Sequence, residues 1–289
     1  MKGIILSGGL GSRLYPVSKS ISKQLLPVYD KPMIYYPLST LIELNIKDIL
    51  IITNSEYIDN YKNLLKDGKQ WGIKINYLIQ KNPNGIAEAF ILGKNFIEKQ
   101  NVALILGDNI FYGINIQKIS NIINNNFSGG LVSLYNVDSP ENYGVVQFKN
   151  KIPKKIIEKP KKTFSKFAVT GLYFYDHTVT EYINLIQPSK RKELEITDLN
   201  NIYIKKKSMK FYNLEQGSVW LDAGSFKSLL QSSQFIQTIQ DRQNIIIGSP
   251  DITSLKNNNI SLTKFKKNLK LMGNSEYLVS LKKFLKNNF

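Results

Sequence analysis

The chain reads as an α/β protein with a mixed, mostly parallel central sheet, and three observations carry that reading. Short apolar runs alternate with amphipathic stretches through the first half of the chain. Those runs are almost unbroken instead of alternating polar and apolar, as strands buried on both faces require. After residue 125 the rhythm changes to strand-like runs separated only by polar turns, the pattern of an antiparallel extension.

The strands of the first half are GIIL (3–6), DILIIT (48–53), INYLI (75–79) and VALIL (102–106). Between them, MIYYPLSTLIEL (33–44), YIDNYKNLL (57–65) and GIAEAFILGKNFIEK (85–99) carry helical spacing. Pro32 is expected at the opening turn of the first helix, where its missing N–H costs nothing. A βαβα order of this kind means a parallel, doubly wound sheet. GLVSLY (130–135), GVVQF (144–148), IPKKIIE (152–158) and AVTGLYFY (168–175) form the antiparallel part. From Phe226 the chain is basic and helical, through LLQSSQFIQTIQDRQ and YLVSLKKFL. With no internal repeat and no low-complexity linker, residues 226–289 are expected to pack on a core of residues 1–225.

Composition removes several kinds of chemistry. There is no cysteine, hence no disulfide, thiolate nucleophile or Cys-based metal site. His177 is the single histidine and falls in a turn after an apolar run, which leaves no material for a Ser-His-Asp triad. Catalysis must rest on carboxylates, cations and backbone amides, with or without a metal. The net charge of +17, from 39 basic and 22 acidic residues, is spread along the chain with an excess of Asn and Ile. It reads as compositional drift on solvated faces, so neither a nucleic-acid nor a membrane partner is expected. MKGIILSGG has too short an apolar stretch for a signal peptide, and a cytoplasmic location is the expectation.

In a parallel sheet, ligands bind outside the carboxyl ends of the strands, so the residues after each run are informative. The first run leads into SGGLGSRLYP (7–16), which fits neither phosphate-loop pattern tried first. Leu14 stands where a G-x-G-x-x-G fingerprint needs its third glycine, and Ser12-Arg13 replaces the Gly-Lys-Ser/Thr of a Walker loop. Gly8, Gly9 and Gly11 nevertheless let backbone N–H groups approach a ligand, and Arg13 offers a fork matched to phosphate oxygens. A tight turn with a surface arginine is the bland alternative. Gln80 follows the third run and Asp108 the fourth, where a carboxylate either caps a following helix or holds a metal ion. Asp222, after another apolar pair in VWLDAGS, adds a second carboxylate, and two suit Mg²⁺ completed by substrate phosphates. Lys23 in SKQLLP and the Glu158-Lys159 pair in IIEKP supply further candidate contacts for phosphate and sugar hydroxyls.

KGIILSGGLGSRLYPVSKSISKQLLPVYDKPMIYYPLSTL, GIAEAF, LGDNIFYG, NYGVVQF, IIEKP, AVTGLYFYD, ELEITDLN and VWLDAGS together resemble the glucose-1-phosphate thymidylyltransferases, from Lys2 to about Arg242. The resemblance implies a Rossmann-like nucleotidyltransferase core, with a nucleotide part over about 1–125, a sugar-phosphate part over about 126–225, and a homotetramer. It implies that Leu6, Gly8, Gly9, Gly11 and Arg13 bind dTTP, that Lys23 neutralises the reacting phosphates, and that Gln24, Gln80 and Gly85 surround the base. Tyr143, Gly144, Glu158, Lys159 and Val169 would contact glucose 1-phosphate, and Asp108 and Asp222 would hold Mg²⁺. Catalysis is thereby assigned to Arg13, Lys23, Asp108 and Lys159.

Ser7, Glu88, Ile114, Ala223 and Phe226 depart from the family pattern without removing any of these groups. Ser249 and Lys256 depart where the resemblance would place a second, regulatory nucleotide site. A sugar-1-phosphate nucleotidyltransferase using UTP or ATP is the nearest rival reading. A non-catalytic sugar-nucleotide sensor is the next, and it would be expected to have lost Asp108, Asp222 or Arg13.

Overall fold

The computed structural model describes every residue except Asn125 and Phe164. The strands of the first half are β1 (Lys2–Ser7), β2 (Pro27–Val28), β3 (Lys31–Pro32), β4 (Asp48–Thr53), β5 (Lys74–Ile79), β6 (Val102–Leu106) and β7 (Asn109–Tyr112). Those of the second half are β8 (Gly130–Asn136), β9 (Gly144–Lys149), β10 (Ile152–Glu158), β11 (Phe167–Tyr175), β12 (Met209–Asn213) and β13 (Val219–Asp222). The helices are α1 (Tyr35–Glu43), α2 (Ile58–Leu65), α3 (Glu88–Leu92), α4 (Lys94–Ile97), α5 (Ile116–Ile122), α6 (Val179–Tyr182) and α7 (Ile196–Lys205). The C-terminal segment adds α8 (Phe226–Gln243), α9 (Pro250–Lys256), α10 (Leu262–Lys270) and α11 (Glu276–Asn288).

β6, β1, β4 and β5 lie side by side and all parallel. The order reverses between β1 and β6, which makes the carboxyl ends of those two strands a topological switch point, where open α/β sheets bind ligands. Along each strand neighbouring residues enter opposite cores. Ile5, Ile49, Ile51 and Ile105 pack with Leu38 and Leu41 of α1, while Ile4, Leu50, Ile52 and Leu104 pack with Phe90 of α3. This two-sided burial is the reason the runs are apolar throughout.

β11 joins the second half to the first, antiparallel to β6 on one side and to β8 on the other. The β9–β10 hairpin meets the first part of β11 through Ala168 and Val145, and β12 closes the sheet in parallel beside β8. β7 and β13 form a separate antiparallel ribbon.

Three local expectations are corrected. Pro32 lies in β3, upstream of α1, and Pro37 is the proline in that helix's first turn. The single helix expected over 85–99 is split at Gly93, where an ideal Cβ would lie 2.9 Å from Ala89 O and 3.1 Å from Ile4 Cδ1. No helix follows Asp108. The chain passes directly into β7, so that carboxylate is not a helix cap.

The C-terminal helices start on Ser225, Ser249, Ser261 and Ser275, each of which accepts a backbone N–H of its helix. α9 lies against α1, and Asn257 Nδ2 donates to Ile42 O at 2.6 Å, satisfying a carbonyl at the end of that helix. A buried ion pair ties α8 and α11 to the β2–β3 turn. Lys31 pairs with Asp30, their side chains 1% and 2% exposed, and its Nζ donates to Gln240 Oε1 at 3.2 Å. The ammonium also stands 5.1 and 5.6 Å from the ring centroids of Tyr36 and Tyr277.

Removing one partner from such a pair strands a buried charge. Lys31→Met is expected to cost about 3 kcal/mol or more in urea unfolding, and adding Asp30→Asn to recover much of it. A single variant as stable as the parent would contradict the role given to the pair.

Candidate active site

A cleft of about 830 Å³ opens at the switch point, lined by the opening loop, by the ends of β6, β10 and β13, and by α7. Leu6 O accepts from Gly107 N at 2.9 Å, which holds the ends of β1 and β6 level. The loop then turns through Gly11 at φ +62° into a short helical turn, Ser12–Leu14, that carries Arg13 at the surface of the cleft. At Gly9 an added Cβ would meet nothing within 4 Å, so no packing of this chain demands glycine there and the backbone is open to a ligand. Gly8 differs: its side is filled by the amide of Gln80.

The carboxylates expected from the sequence are brought together. Asp108 follows β6, and Asp222 ends β13 directly opposite Asn109 in the ribbon. Ala223 N donates to Asp108 O at 3.0 Å, locking the two segments edge to edge. Lys23 forms an ion pair with Asp108 Oδ2, and Asn109 Nδ2 donates to Asp108 Oδ1 at 2.9 Å. The guanidinium of Arg13 lies over Gly224, where a Cβ would sit 2.6 Å from Nη2 and 2.8 Å from Asp222 Oδ1. Any larger residue at 224 would crowd both the Arg13 guanidinium and the Asp222 carboxylate.

Burial opposes ionisation of both aspartates, but their charges differ in company. For Asp108 the contacts with Lys23 and Asn109 outweigh burial and hold its carboxyl below the usual range. For Asp222, burial and the charge of Asp108 push the carboxyl up to about 6, against partial relief from Lys23 and Arg13. Two hard oxygen ligands next to two cations is a donor set that fits Mg²⁺ completed by phosphate oxygens. Among the described residues there is no cluster of three or more His, Cys, Asp or Glu that would hold a metal unaided.

Across the cleft, Glu158 Oε2 accepts from Thr197 Oγ1 at 2.6 Å, and Arg191 Nη2 reaches Glu158 Oε1 at 3.5 Å from the rim. Lys159 follows in left-handed backbone, φ +41°, with its N–H on Tyr143 O at 3.0 Å. That turn directs consecutive acid and base into one cavity, where Gly144 and Val169 also face. Leu6, Gly8, Gln24, Gln80 and Gly85 do not line it. Gln24 Oε1 accepts from Ser22 and Tyr61, and Gln80 Nε2 donates to Glu88 Oε2 at 2.6 Å. Gly85, φ +109°, packs on the backbone of Leu194, with 2.6 Å from an ideal Cβ to Leu194 N, so the protein's own chain accounts for that glycine. Lys256 lines a second, smaller cavity of about 260 Å³, and Ser249 caps α9.

Sequence reading passed over Asn109, Thr197 and Asn200. Asn200 lines the cleft at 1% exposure, its Oδ1 taken by Tyr175 OH at 2.5 Å and its Nδ2 without a partner among the described residues. All three stand in the stretches LGDNIFYG and ELEITDLN, but what they touch is set by strand pairing far along the chain.

Residues 2–239 match the family described as nucleotidyl transferase. The chain belongs to that family. A glucose-1-phosphate thymidylyltransferase of Neisseria meningitidis is 45% identical over 287 residues, 99% of this chain and 100% of that protein. One from Mycolicibacterium smegmatis is 44% identical over 256 residues, 87% of each chain. A glucose-1-phosphate thymidylyltransferase structure from Bacillus anthracis, in complex with sucrose, superposes with a TM-score of 0.74 at 40% identity, over 81% of this chain and 94% of that one. A UDP-glucose pyrophosphorylase complexed with UDP-glucose matches with a TM-score of 0.72 at 24% identity, over 82% and 98%, a likeness of fold alone. The nucleotidyltransferase core is thus a Rossmann-like sheet with an antiparallel extension. No helix among the described residues is long and apolar enough to cross a membrane.

The raised pKa of Asp222 carries a sign. Unfolded, the carboxyl ionises near pH 4; folded, near 6, so the folded state holds the extra proton between them and loses stability as pH rises through that window. In EDTA at pH 7 the full penalty is present, and Asp222→Asn is expected to raise Tm by about 2 °C or more, with little change at pH 4. A lower Tm at pH 7 would contradict the assigned electrostatics.

Proposed function

We propose that this nucleotidyltransferase moves a thymidylyl group from dTTP to glucose 1-phosphate, releasing pyrophosphate in one in-line displacement that depends on Mg²⁺. The observation that carries this reading is the pair Asp108–Asp222, set between an anion-binding loop on one wall and Glu158-Lys159 on the other. The base and sugar are those of the Neisseria and Mycolicibacterium relatives, 45% and 44% identical over most of the chain.

The chain's residues divide the work by charge. Backbone N–H groups around Gly9 and Gly11 face the triphosphate, and the Arg13 fork takes phosphate oxygens beside Asp222. Lys23 offsets charge at the reacting phosphates. Glu158, itself held by Thr197, accepts sugar hydroxyls, while Lys159 binds the phosphate of the acceptor and aims its oxygen at the α-phosphorus. Gly144, Tyr143 and Val169 shape the sugar end, and the free Asn200 Nδ2 adds a donor there. Asp108 and Asp222 would hold Mg²⁺, which when bound would supply positive charge to offset two approaching anions. The attacking phosphate oxygen is already anionic, so the site needs no general base, in keeping with its lack of histidine. Alignment and charge neutralisation supply the acceleration. Base selection by Gln24, Gln80 and Gly85 would act from behind the cleft wall. A homotetramer, on resemblance alone, and a cytoplasmic location complete the reading.

Pyrophosphate release with glucose 1-phosphate and each of dTTP, UTP, ATP, CTP and GTP tests the assignment. Preference for dTTP, abolished by EDTA, is expected; preference for another triphosphate would overturn the base, and silence with all five would overturn catalysis. Asp108→Asn and Arg13→Ala should lower turnover by about 10³-fold with an unchanged circular-dichroism spectrum. Glu158→Gln should act mainly on KM for glucose 1-phosphate, by roughly tenfold, the size of one charge-assisted hydrogen bond.

A further inference from the structure

We propose that Lys23 gates the metal site: its ammonium occupies the Asp108 oxygen that a divalent cation needs, and yields it only to the triphosphate. The proposal rests on the metal assignment above and concerns how that site is loaded. The two oxygens of Asp108 are not equivalent. Oδ1 is held by Asn109 Nδ2 at 2.9 Å, and the Asn109 amide cannot turn away, because its Oδ1 accepts from Gly171 N at 3.1 Å and Trp220 Nε1 at 2.5 Å. Among the described residues Oδ2 carries only Lys23, and it is the oxygen able to exchange partners.

A divalent ion bonded to Oδ2 at roughly 2.1 Å would stand against an ammonium already touching the same atom. Lys23 must leave that oxygen first. Its side chain is 12% exposed and that of Asp108 is 11%, so displacement breaks a part-buried ion pair and turns the ammonium into the cleft without its carboxylate partner. The charges of the centre make the same point. Asp108 and Asp222 are balanced by Lys23 and Arg13, so a bare divalent cation brings an uncompensated excess of positive charge. A triphosphate arriving with the metal reverses that excess and gives Lys23 new oxygens in the same cleft. Metal and nucleotide therefore load as a unit. When pyrophosphate departs, the ammonium returns to Asp108 and releases the metal.

The test is Mn²⁺ binding, followed by electron paramagnetic resonance on nucleotide-free protein and by water-proton relaxation when dTTP is present. The parent chain should bind Mn²⁺ weakly alone and retain it with dTTP. Lys23→Met and Lys23→Gln should each tighten Mn²⁺ binding without nucleotide by about tenfold or more, since a like charge has gone from a part-buried site. Lys23→Met should also melt below the parent in EDTA and recover with Mn²⁺, and Lys23→Met/Asp108→Asn should lose the gain. If the parent retains Mn²⁺ with dTTP but neither single variant binds it more tightly alone, or the gain survives in the double variant, the gate is overturned while the metal site stands. If no form retains Mn²⁺ even with dTTP, the metal assignment fails and the gate falls with it.

Discussion

The amide of Asn109 joins three stretches of chain that are far apart in sequence. Its Oδ1 accepts from Gly171 in β11 and from the indole of Trp220 in β13, while its Nδ2 fixes Asp108 at the end of β6. Gly171 sits where the β8–β11 register shifts, between Val169 and Tyr173, and a Cβ there would lie 2.6 Å from Asn109 Cγ. The antiparallel extension can approach the parallel sheet at this point only because that residue has no side chain. Asn109, Gly171 and Trp220 all line the cleft.

The same junction creates the electrostatic tension on which the chemistry depends. Pairing β7 with β13 sets Asp222 opposite Asn109 and thus beside Asp108, so two carboxylates share a part-buried place. Neither is tolerable alone, and the cations that make the pair tolerable, Lys23 and Arg13, belong to the opening segment. Charge therefore couples the opening segment to the ribbon. A centre that is neutral in itself but crowded with opposed charges is suited to accept an anionic substrate together with a cation.

The parts of this arrangement visible in the sequence are those written in local pattern. β4 and β6 fall on the expected residues, since a strand buried on both faces leaves a continuous apolar run, and the hairpin strand β10 also falls on its expected residues. Asp108, Asp222, Arg13, Lys23, Glu158 and Lys159 stood out as charged groups at strand ends or in a glycine turn, and they do line one cleft. What local pattern could not carry was pairing. β7 hides inside LGDNIFYG as four residues with no periodicity of their own, and it removed the helix that Asp108 was offered to cap. Asn109 looks like any polar turn residue until β11 and β13 close on it. Gly85 and Gln80 were read toward a ligand, and the contacts they make within the chain, with Leu194 and Glu88, are set by tertiary packing that local pattern does not show.

The central claim is that Asp108 and Asp222 form one reacting centre with the Gly8–Arg13 loop. Anomalous diffraction from crystals grown with Mn²⁺ and dTTP measures it most directly. An anomalous peak is expected at coordination distance, about 2.1 Å, from a carboxylate oxygen of each aspartate, with the triphosphate against the loop. A peak elsewhere, or a triphosphate bound away from Arg13, would contradict it.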